Sequence, residues 1–266
     1  GKGTYYTSID GILFNAALDE LIFYPIARAD ESYTIPSGVK IIGARAFAGN
    51  ENLKAVLLPM GLIEIKANAF NSCTELTGIM IPASVALIDD NAFRNCTKMT
   101  SVLFVAGGTT ALVMGDNVFN YDTVLKSIVL PARLAVMGDS VFYNSGLEQV
   151  EFEANSRLTM LGNSVFMFTN ITEIVLPAGV ISIGDSLFYG CERLTTATFG
   201  EGLLKIGSQT FSGCTELTSV YFPASLKTMG INTFYLYGTC LGGINHFSAK
   251  WFEILIKRIT CHPFRY

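Results

Sequence analysis

One residue type keeps time along this chain. Phenylalanine returns as Phe47, Phe70, Phe93, Phe119, Phe142, Phe166, Phe188, Phe211 and Phe234, with gaps of 23, 23, 26, 23, 24, 22, 23 and 23 residues. A fixed period of this size marks a solenoid, because each period is one unit that cannot bury its apolar face alone. Stacked units bury a continuous core and touch mainly their neighbours. The 266 residues are therefore read as one elongated stack of about nine coils. Repeating residues hold up the shape, so function is sought in what varies between coils.

Aligning the coils on their phenylalanines exposes ladders. One coil reads Leu58-Pro59, Leu62, Ile65, Ala69-Phe70, Cys73, Leu76 and Ile79; the next reads Ile81-Pro82, Val85, Ile88, Ala92-Phe93, Cys96, Met99 and Val102. Later, Leu176-Pro177, Val180, Ile183-Gly184, Leu187-Phe188, Cys191 and Leu194 repeat the pattern. Ile79 and Ile81 stand two apart, as on a short strand. Proline follows the strand at 36, 59, 82, 131, 177 and 223. It has no N–H for a ladder and stops the strand there. Polar pairs then recur: Asp89-Asp90, Gly115-Asp116, Gly138-Asp139, Gly162-Asn163 and Gly184-Asp185. Such residues suit a turn and a helix N-cap. The spacing predicts a short helical turn carrying each phenylalanine, stacked opposite the sheet.

The order Ile-Pro-x-x-Val-x-x-Ile-Gly-x-x-Ala-Phe-x-x-Cys-x-x-Leu-x-x-Ile resembles the BspA-like leucine-rich repeats of bacterial surface proteins. The resemblance covers about four-fifths of the chain, in nine consecutive copies. The post-strand column holds Gly38, Gly61, Ser84, Arg133, Gly179, Gly202 and Ser225, not the asparagine of the most frequent repeat type. The resemblance implies an α/β solenoid: a right-handed leucine-rich-repeat coil with a parallel β-sheet on the concave face and short helical turns opposite. Residues 1–32 are read as an N-terminal hairpin cap. Within it, Ser8 to Phe14 and Leu21 to Pro25 form two strands around a polar turn. Residues 33–244 are the solenoid and 245–266 a C-terminal cap, all one continuous domain.

Composition narrows the function. The net charge is −4, so no general basic field draws nucleic acid. No apolar run reaches the roughly 18 residues of a membrane span, and there is no signal-peptide pattern among these residues. The two histidines, His246 and His262, lie in the C-terminal stretch, and no nucleophile elbow, zinc-protease or phosphate-loop motif occurs. The chain is read as non-enzymatic, with no cofactor and no metal. Cys73, Cys96, Cys191 and Cys214 occupy ladder positions. Stacked coils bring such Cα atoms within disulfide range, but parallel Cβ vectors misalign the sulfurs, and buried free thiols are expected. The column Asp90, Asp116, Asp139 and Asp185 is open to two readings, calcium binding and turn capping.

Side chains alternate along a strand. The outward column reads Thr34, Leu57, Met80, Leu103, Val129, Glu151, Val175, Thr198 and Tyr221. Leu57, Met80, Leu103 and Val129 are consecutive apolar residues on a face that water reaches. Such a stripe marks a partner site or only the strand preference of aliphatic residues. Beside it lie Glu148, Glu151, Glu153 and Glu173, which would attract a cationic partner or are simply solvated. From the post-strand position to the glycine most coils take seven residues, as in Pro131 to Gly138; Val105 to Gly115 takes ten and Glu153 to Gly162 nine. Insertions on one rim suggest a binding edge, or drift in a surface loop. Together these residues, with Tyr221, are the candidate site. The resemblance implies an extracellular or cell-surface module that recognises a protein or glycan on host or neighbouring cells. The alternative is a structural spacer or targeting module of a larger exported protein.

Overall fold

The computed structural model describes residues 5–236 and 239–240; the C-terminal cap expected at 245–266, with both histidines, lies outside them. Each coil runs through a strand, a corner that most coils mark with proline, a second strand of two to four residues, and a chain of tight turns carrying the phenylalanine. The proline carbonyl closes the corner, as where Leu62 N–H donates to Pro59 O at 2.9 Å and Leu134 N–H to Pro131 O at 2.9 Å.

Two sheets run along the coils, where one was expected, and a short hairpin of Tyr235–Leu236 and Thr239–Cys240 follows them. The longer has twelve strands. It begins with antiparallel Tyr6–Ile9, Ile12–Asn15 and Glu20–Phe23, three strands where the sequence suggested two. It continues in parallel from Ile41–Ile42 to Thr228–Met229. The antiparallel start covers what would otherwise be an open edge of the first coil. Most of its parallel strands have two residues, too short to show alternation in the sequence. The other sheet carries the outward column and is divided into three pieces of four, two and three strands.

The expected helical turns do not form: the described residues contain no helix, and the chain is a β-solenoid. The reason lies in two left-handed positions per coil. Two residues before each phenylalanine, Arg45, Asn68, Asn91, Asn117, Ser140, Ser164, Ser186, Gln209 and Asn232 have φ between 54 and 59°. A second left-handed residue stands two places after most of the rings. A right-handed helix cannot propagate through them. The backbone donors instead go to the next coil: Phe47 N–H to Ala69 O at 2.8 Å, Phe70 to Ala92 at 2.7 Å, Phe142 to Val165 at 2.9 Å. The donors between them close tight turns three residues back, as Ala48 N–H does to Arg45 O at 3.1 Å, and not the four-residue bonds of a helix.

The polar pairs are corrected in the same way. They cap no helix. Each acid or amide accepts from the backbone of the following coil: Asp116 N–H to Asp90 Oδ1 at 2.8 Å, Asp139 to Asp116 at 2.7 Å, Asn163 to Asp139 at 2.7 Å, Asp185 to Asn163 at 2.8 Å. Among the described residues no group of three or more His, Cys, Asp or Glu is arranged to hold a metal.

The phenylalanines form the expected buried ladder. From Phe47 to Phe234 successive rings stack within 16° of parallel, 4.7 to 5.7 Å between centroids. The four ladder cysteines are free and buried. Each Sγ donates to the carbonyl of the ladder phenylalanine in the previous coil, as Cys191 does to Phe166 O at 3.0 Å. Burial pushes the Cys73 thiol up to about 12 and Cys191 to about 11. Asp122 stands in the same column, wholly buried. Its Oδ1 accepts from Cys96 N–H at 2.7 Å and its Oδ2 has no partner.

Candidate partner-binding surface

The outward column is continuous in register inside each piece of the divided sheet. Thr34 pairs with Leu57 and Met80 with Leu103; Val129 pairs with Glu151; Val175 pairs with Thr198 and Thr198 with Tyr221. Leu57, Met80, Leu103 and Val129 are 49 to 57% exposed. Their neighbours along each strand, Val56, Ile79, Val102 and Ile128, are buried. Alternation thus sends one set into the core and leaves the other as an apolar stripe. Val175 adds to this face beyond Glu151, and Tyr221 lies two strands further on.

The two cuts in the sheet follow the two long loops. Ser101–Phe104 precedes the first loop and does not ladder with Ser127–Leu130; Gln149–Phe152 precedes the second and does not ladder with Glu173–Val175. Over the second cut lies an open cleft of about 800 Å³. Glu148, Glu151, Glu153 and Glu173 all line it, with Val175 and Pro177. All four residues border the cleft, but their carboxylates are not alike. Glu148 Oε1 pairs with Lys126 Nζ at 2.9 Å, and that hydrogen bond holds its carboxyl below the usual range. Glu153 Oε2 accepts from Ala132 N–H at 2.9 Å. Glu151 and Glu173 stand exposed on their strands and have no hydrogen-bond or ion-pair partner among the described residues. Charge is thus left open at the cleft next to the apolar row, while the outlying Tyr221 does not reach it.

Two arginines that sequence reasoning did not single out build the rim. In the post-strand column Ser84 Oγ donates to Met60 O at 2.8 Å and Leu62 O at 2.6 Å in the coil before. At Arg133 the equivalent residues of the previous coil have been looped out, with 106–111 exposed. The guanidinium reaches back two coils instead, to Val85 O and to Pro82 O at 3.2 Å, and is buried there. Arg157, on the second loop, donates to Thr109 O on the first at 3.0 Å. The two insertions are therefore laced together across the intervening coil. The available signal was a lone arginine in a column of glycine and serine, beside an over-long neighbour.

The coil is now defined: strand, proline corner, second strand, and a turn run built on phenylalanine. A family model described as a BspA type leucine rich repeat region of six copies matches residues 22–148 and again residues 112–240. The chain belongs to the BspA-type leucine-rich-repeat family. Among solved structures, this BspA-type chain is similar to the pneumococcal vaccine antigen PcpA, with a TM-score of 0.59 and 22% identity over 87% of this chain and 62% of that one. It thus spans less than two thirds of the PcpA structure. A leucine-rich-repeat protein of T. pallidum gives a TM-score of 0.50 and 24% identity, covering 74% of this chain and 82% of that one. A leucine rich cell surface protein from Faecalibacterium prausnitzii is 28% identical, covering 72% and 59%, with a TM-score of 0.46. No curated protein sequence matches. The family is a repeat scaffold, and the matches indicate no catalytic family. Among the described residues no helix is long and apolar enough to cross a membrane.

Proposed function

We propose that this BspA-type chain is a non-enzymatic binding module, displayed on a bacterial surface or secreted. It recognises a protein or glycan of host or neighbouring cells through its strand face, the concave one expected of such repeats. One observation carries the reading: the exposed apolar residues Leu57, Met80, Leu103 and Val129 follow one another on successive coils, and Val129 pairs in register with Glu151, which lines the cleft where Glu151 and Glu173 remain unpaired. An apolar centre beside open charge is the usual anatomy of an interface. The resemblance to bacterial surface antigens supports the location. A spacer of a larger exported protein is the second reading, favoured by the uninterrupted phenylalanine ladder, which would serve as a rod.

The test begins with immobilised protein exposed to extracellular-matrix, serum and mucosal glycoproteins. A captured partner is titrated against Leu103→Asp, Glu151→Lys and, as control, Lys205→Glu on the long sheet. Leu103→Asp is expected to cost about 1 kcal/mol of affinity or more. Glu151→Lys is expected to change mainly the association rate and its salt dependence. Weakened binding in the control, with both strand-face variants unaffected, would remove the strand face as the site. Capture of nothing would favour the spacer.

A further inference from the structure

The turn side carries a second aromatic ladder, outside the core one. Tyr121, Tyr143, Phe168 and Tyr189 belong to four successive coils. Their rings meet edge to face, with centroids 5.6, 5.8 and 5.6 Å apart and planes at 66, 78 and 89°. Core rings stack in parallel and cover each other's faces. Edge-to-face rings leave faces uncovered by their neighbours. Phe168 is 41% exposed, and the three tyrosines are half-buried. Arg94 closes the N-terminal end, its guanidinium 5.7 Å from the Tyr121 ring centre.

The backbone beneath two of these rings is unusual. The position two places after the core phenylalanine is left-handed in coil after coil, and it holds Gly49, Ser72, Asn95, Asn144, Gly190 and Gly213. Those are residues that accept such a conformation. Tyr121 and Phe168 occupy the same position at φ of 64 and 60°. A bulky side chain there is an outlier, and strained residues cluster at functional sites. The core does not require them, because their rings lie outside it. Gly190 makes room for one of them: a Cβ there would overlap the Cδ1–Cε1 edge of Phe168.

The surrounding chemistry selects the ligand. Along this column amide and ring alternate: Asn95, Tyr121, Asn144, Phe168. The column beside it carries Arg94, Asn120, Tyr143, Met167 and Tyr189 over the same coils. Arg94 is the one charged side chain in this stretch of the two columns, and it already lies over Tyr121. Nucleic acid needs a basic groove, which is absent here. The apolar faces of pyranose rings stack on aromatic rings, and their hydroxyls bond amides and phenols without needing charge. Successive rings lie 5.6 to 5.8 Å apart but turn by 66 to 89°, so one ring offers its face to a sugar while the next offers its edge and phenol. We propose that Tyr121, Tyr143, Phe168 and Tyr189 form a binding track for a neutral, extended, β-linked glycan. The track is independent of the strand-face reading, since it uses the other side of the coil.

The probes are cellohexaose and chitohexaose, which are extended, and maltohexaose, which is curved. Calorimetric titration is expected to show binding of at least one extended chain, at least tenfold tighter than maltohexaose. The double variant Tyr121→Asn/Phe168→Asn should lose affinity at least tenfold. Its thermal midpoint should equal or exceed the wild type, because asparagine relieves the left-handed strain. Tyr189→Ser removes the last ring without touching a left-handed position and should also weaken binding. Lys205→Glu, exposed on the long sheet, should leave it unchanged. No binding of either extended chain at millimolar concentration overturns the track. So does wild-type affinity in Tyr189→Ser, whatever the stability of the double variant.

Discussion

Between Phe93 and Phe188 the turn side of the solenoid runs on unbroken, ring upon ring at 5.4, 5.5, 5.6 and 5.7 Å, while the strand side of the same coils is cut twice. The contrast shows where this repeat tolerates variation. On the turn side, backbone donors bond coil to coil and a large ring lies against each neighbour, so an inserted residue would break several contacts at once. After the first strand the chain is already turning out at its corner, and the two coils with long loops carry Val105 and Glu153 where most others have proline. Extra residues there lift away as a loop and loosen one strand pairing. The cut then needs mending, and Arg133 and Arg157 do so by reaching back two coils.

The largest expected effect breaks the regular side. Phe142→Ala removes a wholly buried ring in mid-ladder and should cost about 3–5 kcal/mol. The loss should spread to adjacent coils, because each coil is stabilised by its neighbours. Urea or thermal unfolding measures it, and a wild-type midpoint would mean that the ladder does not carry the stack.

On the mended side, Arg133→Ala strips the carbonyls of Val85 and Pro82 of a charged, buried donor and should cost about 2–3 kcal/mol. Arg157→Ala, at an exposed loop bond, should stay within about 0.5 kcal/mol while making the loop around Thr109 easier for protease to cut. Equal midpoints for Arg133→Ala and wild type would show that the cut needs no mending.

A subtler effect sharpens the comparison inside the regular side. Burial raises the Asp122 carboxyl well above its ordinary value. The unfolded chain ionises this group near pH 4, whereas the folded chain holds its proton to higher pH. The folded state therefore binds more protons above that point. The contribution is fully present below about pH 4 and is lost as pH rises through the folded value. Asp122→Asn should flatten this decline and leave the protein at least as stable at neutral pH. Urea titrations from mildly acidic to neutral pH report it; a wild-type slope in the variant would show that another group causes the decline.

Not every element was equally open to reading. The phenylalanine and cysteine ladders were legible because a core residue recurs once per coil. The four glutamates were legible as neighbours because Glu148, Glu151 and Glu153 share one coil and Glu173 follows in the next. The turn run reads as helix in the sequence and is not one. Arg45, Gln209, Tyr121 and Phe168 hold left-handed backbone that their side chains do not announce, and only the coil-to-coil hydrogen bonds impose it. The cleft depends on a loosened pairing between Gln149–Phe152 and Glu173–Val175, and no residue encodes it by type.

By itself the sequence determined the stack, its core columns and its family, because a period repeated nine times specifies which side chains must face one another. Tertiary structure alone decided that the turns are not helical, that a second sheet binds the coils, and that the first sheet opens beside Glu151 and Glu173. Those features depend on where each backbone donor finds its acceptor. In a solenoid that acceptor lies a full coil away along the chain, beyond the reach of any local pattern.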